Sequence, residues 1–133
     1  MEIFVYNPST QSNLQIDFVP AGRYSRFNQK KMEWLVDVAA TSSFKEEFEK
    51  DYGKATEFEI SPTTPYSLKG VQYAAKKYAT YAIKGVKREH VWIYGFSEPY
   101  QIFIIYMILE REGSNDRQDI EKILNSFEVL SNK

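Results

Sequence analysis

Hydrophobic and polar positions alternate cleanly from Leu14 to Val19, with Leu14, Ile16 and Phe18 on one side and Gln15 and Asp17 on the other. That period of two is the pattern of a half-buried antiparallel strand. A weaker alternation over Ile3 to Tyr6 stops at Asn7-Pro8-Ser9-Thr10, a turn composition. The two runs predict a first hairpin, closed by Pro20-Ala21-Gly22. The period then changes. Asn28 is placed to cap a helix from Gln29, in which Met32, Leu35, Val36 and Ala39 recur at helical spacing. Ser43-Phe44-Lys45-Glu46 has the form of a capping box and predicts a second helix, with Phe44 and Phe48 one turn apart and Gly53 as its stop. Phe58 and Ile60 predict a short strand. In Ser61-Pro62-Thr63-Thr64-Pro65 the two prolines exclude regular structure.

Two further strands follow, His90 to Phe96 and Gln101 to Glu110. Phe103 to Leu109 is apolar on both sides, which predicts a central strand covered on both faces. Ser114, Asn115 or Asp116 can cap a last helix carrying Ile120, Ile123, Leu124 and Phe127. Its acids Asp116 and Asp119 come early and Lys122 later, as the helix dipole favours. Residues 70–84 fit two patterns. Val71, Ala74, Ala75, Tyr78, Ala79, Ala82 and Ile83 make a helical stripe that Gly85 would cap. Val71, Tyr73, Ala75, Ala79, Tyr81 and Ile83 equally make a strand face that only Lys77 spoils. Periodicity leans to the helix.

A resemblance reverses that lean. The glycine-led Gly70-Val71-Gln72-Tyr73-Ala74, the two strands after it, and the ending Ile123-Leu124-Asn125-Ser126-Phe127-Glu128-Val129 resemble the PsbP-like superfamily. They are also similar to small uncharacterised bacterial domains of the same α/β/α sandwich type. The opening Phe4-Val5-Tyr6-Asn7-Pro8 resembles an early strand of such domains. The resemblance covers the last 65 residues or so and, loosely, the first 20. Its motifs are packing motifs and carry no chemistry. It implies an antiparallel sheet with helices on both faces, and with it a strand at 70–84. The chain departs from the family in lacking a further hairpin with a G-F-x-[IV]-x-[YF]-P-x-x-W stretch. Family members include a photosystem accessory subunit and a partner of a Ran-type GTPase, roles that fold likeness does not transfer. The expectation is one α+β domain over residues 1–133.

Composition narrows the function classes. The formal net charge is −1, so no global basic field draws nucleic acid or acidic membrane. Cysteine is absent, which removes disulfides, thiolate catalysis and Cys-ligated metals. The longest apolar run, Ile102 to Leu109, is far short of the roughly 20 residues of a membrane span. Without a basic-then-apolar N-terminus the default is cytoplasmic, or exported if a signal segment precedes the sequence. Aromatics make up 16% of the chain. A β-rich core accounts for them, and so does a recognition surface lined with Tyr and Trp.

The lone histidine lies in Arg88-Glu89-His90-Val91-Trp92-Ile93-Tyr94, where Arg88, His90, Trp92 and Tyr94 share a strand face. Such a histidine can be a general base, or a half-buried strand residue with an ordinary partner. From Lys69 to Arg88 there are basic residues and no acid. Lys76 and Tyr78, if their strand is adjacent, would join Arg88, His90, Trp92 and Tyr94 in a basic-aromatic surface for a protein partner or small anionic ligand. The plainer reading is a solvated strand face with protective lysines. Arg23, Arg26, Lys30 and Lys31 form a second acid-free stretch, a candidate mobile loop. Glu110, Glu112, Asp116 and Asp119 do not match a calcium loop, and no phosphate-binding or zinc motif occurs, so neither metal nor cofactor is expected. The functional expectation is a non-catalytic binding or assembly module, with homodimer formation open. The rival is a small acid/base enzyme using His90.

Overall fold

A computed structural model describes residues 2–21, 26–52, 58–110 and 115–130. Its centre is a seven-stranded antiparallel sheet in the order β1-β2-β7-β6-β5-β3, with β4 also pairing β5. The strands are β1 (Glu2–Tyr6), β2 (Asn13–Pro20), β3 (Glu59–Ile60), β4 (Thr64–Pro65), β5 (Tyr73–Ile83), β6 (Val86–Ser97) and β7 (Tyr100–Leu109). The first hairpin forms as its alternation predicts, with Phe4 opposite Gln15. Residues 73–83 are a strand, so the helical stripe read there is overridden. What decides is Lys84-Gly85, where both residues have positive φ and Ile83 pairs with Val86. That is the backbone of a two-residue hairpin turn, not a helix cap.

The helices are α1 (Gln29–Val38), α2 (Glu46–Tyr52) and α3 (Asp116–Ser126). Asn28 caps α1 by accepting from the Lys31 amide at 2.8 Å. No break separates α1 from α2. The helix runs on through a π-helical stretch, Ala39–Lys45, so the predicted capping box lies inside a continuous helical segment. Gly53, its predicted stop, lies outside the described residues. Pro65 does not exclude regular structure either: Thr64 and Pro65 pair with Lys76 and Ala75 as a two-residue edge strand, a position where proline is tolerated. At α3 the cap position is Asn115, without a side-chain hydrogen bond, and Ser114 lies outside the described residues.

Alternation along the strands sends side chains into two cores on opposite faces of the sheet. On one face Leu14, Ile16, Val91, Ile93, Ile102, Ile104 and Ile108 pack against Ile120 and Leu124 of α3. On the other, Ala75, Ala79, Trp92 and Phe96 pack against Met32, Val36 and Ala40 of the long helical segment. Gly70 ties the α3 end to the sheet. It has φ +82°, and the Lys69 carbonyl accepts from the Val129 amide at 2.9 Å. A Cβ at Gly70 would stand 2.0 Å from the Val129 carbonyl oxygen.

Candidate functional site

The strand register decides where the six residues singled out from the sequence lie. Lys76 pairs with Ile93 and Tyr78 with Val91, so both point to the α3 side of the sheet. Arg88, His90, Trp92 and Tyr94 point to the α1 side, level with Tyr81, Ala79, Lys77 and Ala75. The six therefore do not form one basic-aromatic surface; they are divided between the two faces. The missed signal was the Lys84-Gly85 turn. A two-residue turn there pairs even-numbered positions of β5 with odd-numbered positions of β6.

On the α1 side, His90 and Trp92 belong to an aromatic core. The His90 ring lies 4.4 Å from that of Phe44 and stacks 4.5 Å from Trp92. Phe48, Phe58 and Tyr81 complete the cluster, with Phe48 and Tyr81 4.6 Å apart. Burial pushes His90 down to about pH 4 in its titration, and its Nδ1 is buried without a partner. It is thus neutral at physiological pH and half-buried among rings, and among the described residues no acid holds its Nδ1 in the orientation a general base needs. Lys77, the residue that interrupts the apolar face of β5, is buried too. Its Nζ donates to Asp37 of α1 at 2.9 Å and to the Thr63 hydroxyl at 3.0 Å. Lys77 thereby joins helix, loop and sheet.

Beyond this core the α1 side opens. The long helical segment lies over β5 and β6 and leaves the part of the face formed by β7, β2 and β1 without a covering helix among the described residues. At the border of that part, Tyr94 of β6, packed against the helix-covered core, meets Phe103 of β7 edge to face at 4.8 Å. Burial raises the Tyr94 phenol above its ordinary value. Phe103 and Ile105 are half-buried, so the double cover expected for β7 is complete only on its α3 side. Next to them run Asn13, Gln15 and Asp17, with the Gln15 amide donating to Asp17 at 2.9 Å. At the margin Phe4 and Tyr6 are 59% and 48% exposed, their rings 6.3 Å apart.

The α3 side carries charged groups of its own. Arg117 of α3 pairs with Glu89 of β6, and that hydrogen bond raises the guanidinium further above its usual range. Burial raises the Tyr106 phenol, and Glu89 beside it adds to the effect. Tyr66 is raised by burial and then by Glu121, and its ring lies 5.6 Å beneath the Lys76 ammonium. Tyr78 is 41% exposed on this face. A groove of about 420 Å³ at the end of β5 and β6 is lined by Glu59, Thr80, Tyr81, Lys87, Arg88, Glu89 and Glu110. Its charges are mixed in sign. A smaller cavity of about 110 Å³ lies between β1 and α3. There the buried Asp116 accepts from the Asn7 amide at 2.8 Å and from the Thr10 hydroxyl. Of the acid-free loop stretch, Arg23 lies outside the described residues, while Lys31 sits 4.7 Å over the Phe27 ring. Among the described residues no three His, Asp or Glu side chains are grouped to hold a metal ion, and no helix is long and apolar enough to cross a membrane.

No family model and no curated protein matches the chain. Among solved structures it is similar to PA94 of Pseudomonas aeruginosa, a protein of unknown function described as a candidate regulator. The two share 7% sequence identity and a TM-score of 0.56, over 99% of this chain and 85% of the other. At that identity the likeness concerns the fold alone.

Proposed function

We propose that the chain is a non-catalytic binding or assembly module, of PsbP-like α/β/α type, that engages a protein partner across the open half of its sheet. One observation carries this reading. On the α1 side, Tyr94 and Ile105 pack at the margin of the helix-covered core, Phe103 follows half-buried beside them, and beyond the polar row of Asn13, Gln15 and Asp17 on β2 stand the exposed Phe4 and Tyr6. Aromatic anchors flanked by polar groups are the composition of protein–protein contact surfaces. A small anionic ligand has less support, because Lys76 and Tyr78 are separated from Arg88 by the thickness of the sheet. Against the acid/base reading stands the enclosure of His90 by Phe44 and Trp92.

The test is affinity capture from native lysate with the tagged protein, a Phe103→Ser/Gln15→Lys variant and a Trp34→Ser control. Trp34 is 60% exposed on α1. A partner kept by the control and lost by the face variant, with circular dichroism unchanged, supports the reading. A partner bound equally by all three removes this face from consideration.

A further inference from the structure

The two edges of the sheet are built differently. One is blunted: β3 and β4 have two residues each, and β4 carries Pro65. Short strands and proline are devices that stop a sheet from adding strands. The other edge is β1, whose five residues pair, among the described residues, only with β2. Its sequence Glu-Ile-Phe-Val-Tyr has no lysine, no proline and one charge. Ile3, Phe4, Val5 and Tyr6 are 41%, 59%, 44% and 48% exposed, and none belongs to either core. An edge that leaves backbone groups and apolar side chains together in water is a template for another strand.

We infer that β1 pairs with β1 of a second copy, antiparallel and about a two-fold axis through Phe4. Full overlap of two five-residue strands requires that axis: Glu2 then faces Tyr6, Ile3 faces Val5 and Phe4 faces Phe4. Opposed residues share a face, so Ile3 and Val5 of both copies make one apolar row, and the two Phe4 rings meet on the other side. The charges permit it. The two Glu2 carboxylates lie at opposite ends of the pairing, on the order of 14 Å apart along the strands, beyond a Debye length at physiological salt. No other charged residue lies on the edge. An isologous contact of this kind closes on itself and forms no fibre. It goes beyond the partner-binding face and does not depend on it: the open face of each copy would be joined into one across the axis.

A five-residue edge buries little surface, so the dimer is weak, and sedimentation should cover protein concentrations up to about 0.5 mM. The absence of cysteine makes a second readout simple. Across antiparallel strands the opposed Cα atoms are about 5 Å apart, within disulfide range. A Phe4→Cys variant under mild oxidation should give covalent dimer at least tenfold faster than a Trp34→Cys control of equal exposure. Phe4→Lys, which opposes two ammonium groups, should sediment as monomer with an unchanged circular dichroism spectrum. A wild-type chain that stays monomeric throughout overturns the inference and leaves the edge for an extended segment of another protein. A wild-type dimer whose Phe4→Cys form crosslinks no faster than the control overturns it as well, placing the contact elsewhere. Neither result bears on the capture experiment, whose face substitutions lie on β2 and β7 and whose control lies on α1.

Discussion

At the scale of single residues, two positions depend on what surrounds them more than on what they are. Gly70 and Gly85 both have φ near +80°, but a Cβ at Gly70 would meet the Val129 carbonyl oxygen at 2.0 Å, while one at Gly85 meets nothing within 4 Å. Gly85→Ala should therefore cost about 1 kcal/mol, the strain of a left-handed backbone alone. Gly70→Ala should cost about 3 kcal/mol or more, because two backbones must also move apart; urea denaturation of the two variants gives the difference. His90 is the other case. Its titration is pushed from 6.5 down to about 4 by burial, so the folded chain binds fewer protons than the unfolded chain between those values. Its stabilising effect is full above pH 6.5 and is lost as the pH falls toward 4. On the same face stand Arg88 two residues away, Lys77 diagonally on β5 and Met107 opposite on β7, with Phe44 above; none of them supplies an acid to hold an imidazolium. Between pH 7.5 and 5 the wild type should lose about 2 kcal/mol more than His90→Leu. Equal losses in parallel denaturation series would mean that His90 is solvated or paired. Nothing in the sequence around Gly70 named Val129 as its neighbour, and the one visible feature of His90, its chemistry, is the one its surroundings suppress.

At the scale of elements, local pattern was read well where local forces decide. The first hairpin, the cap of α1 at Asn28 and the stripe of α3 all follow from short-range spacing. The failures have long-range causes. Residues 70–84 carried both periods, and the strand won because β6 on one edge and β3 and β4 on the other satisfy its backbone. The helix continues through Ala39–Lys45 in π form, and there Phe44 reaches the ring of His90, a contact that no capping rule anticipates. Lys77 looked like a fault in an apolar face because its partner, Asp37, lies on a helix far away in the sequence. That pair yields a test of how α1 is held. With 8% of its side chain exposed, the Lys77 ammonium depends on Asp37, which is 49% exposed, and on Thr63. Asp37→Ala leaves a buried charge half-served and should cost about 2 kcal/mol, below the range for fully buried pairs because Asp37 is partly solvated. Adding Lys77→Met should return most of that loss. A double variant as unstable as the single one would show that α1 is held by Met32 and Val36 alone.

At the scale of the whole molecule, the candidate surface was less legible than the fold, because face membership depends on register and one two-residue turn sets the register of the β5–β6 ladder. The same register makes the two cores inseparable. Along β6, Val91 and Ile93 enter the α3-side core while Trp92 and Phe96 enter the α1-side core, and along β7 Ile104 and Ile105 are divided in the same way. Neither core can be dismantled without disordering strands that the other requires, which is the structural condition for a single cooperative transition. The chain carries two tryptophans, and Trp34 is exposed while Trp92 is buried. In a Trp34→Phe variant the fluorescence of Trp92 therefore reports the α1-side core alone, while far-ultraviolet circular dichroism reports the sheet as a whole. Urea transitions followed by the two signals should coincide in midpoint and slope. A fluorescence midpoint well below that of circular dichroism would mean that the long helical segment detaches first and leaves a sheet held by α3. The α1-side cluster of Phe44, Phe48, Phe58 and Tyr81 would then be exposed in a partly folded state, enlarging the aromatic surface beside the open face.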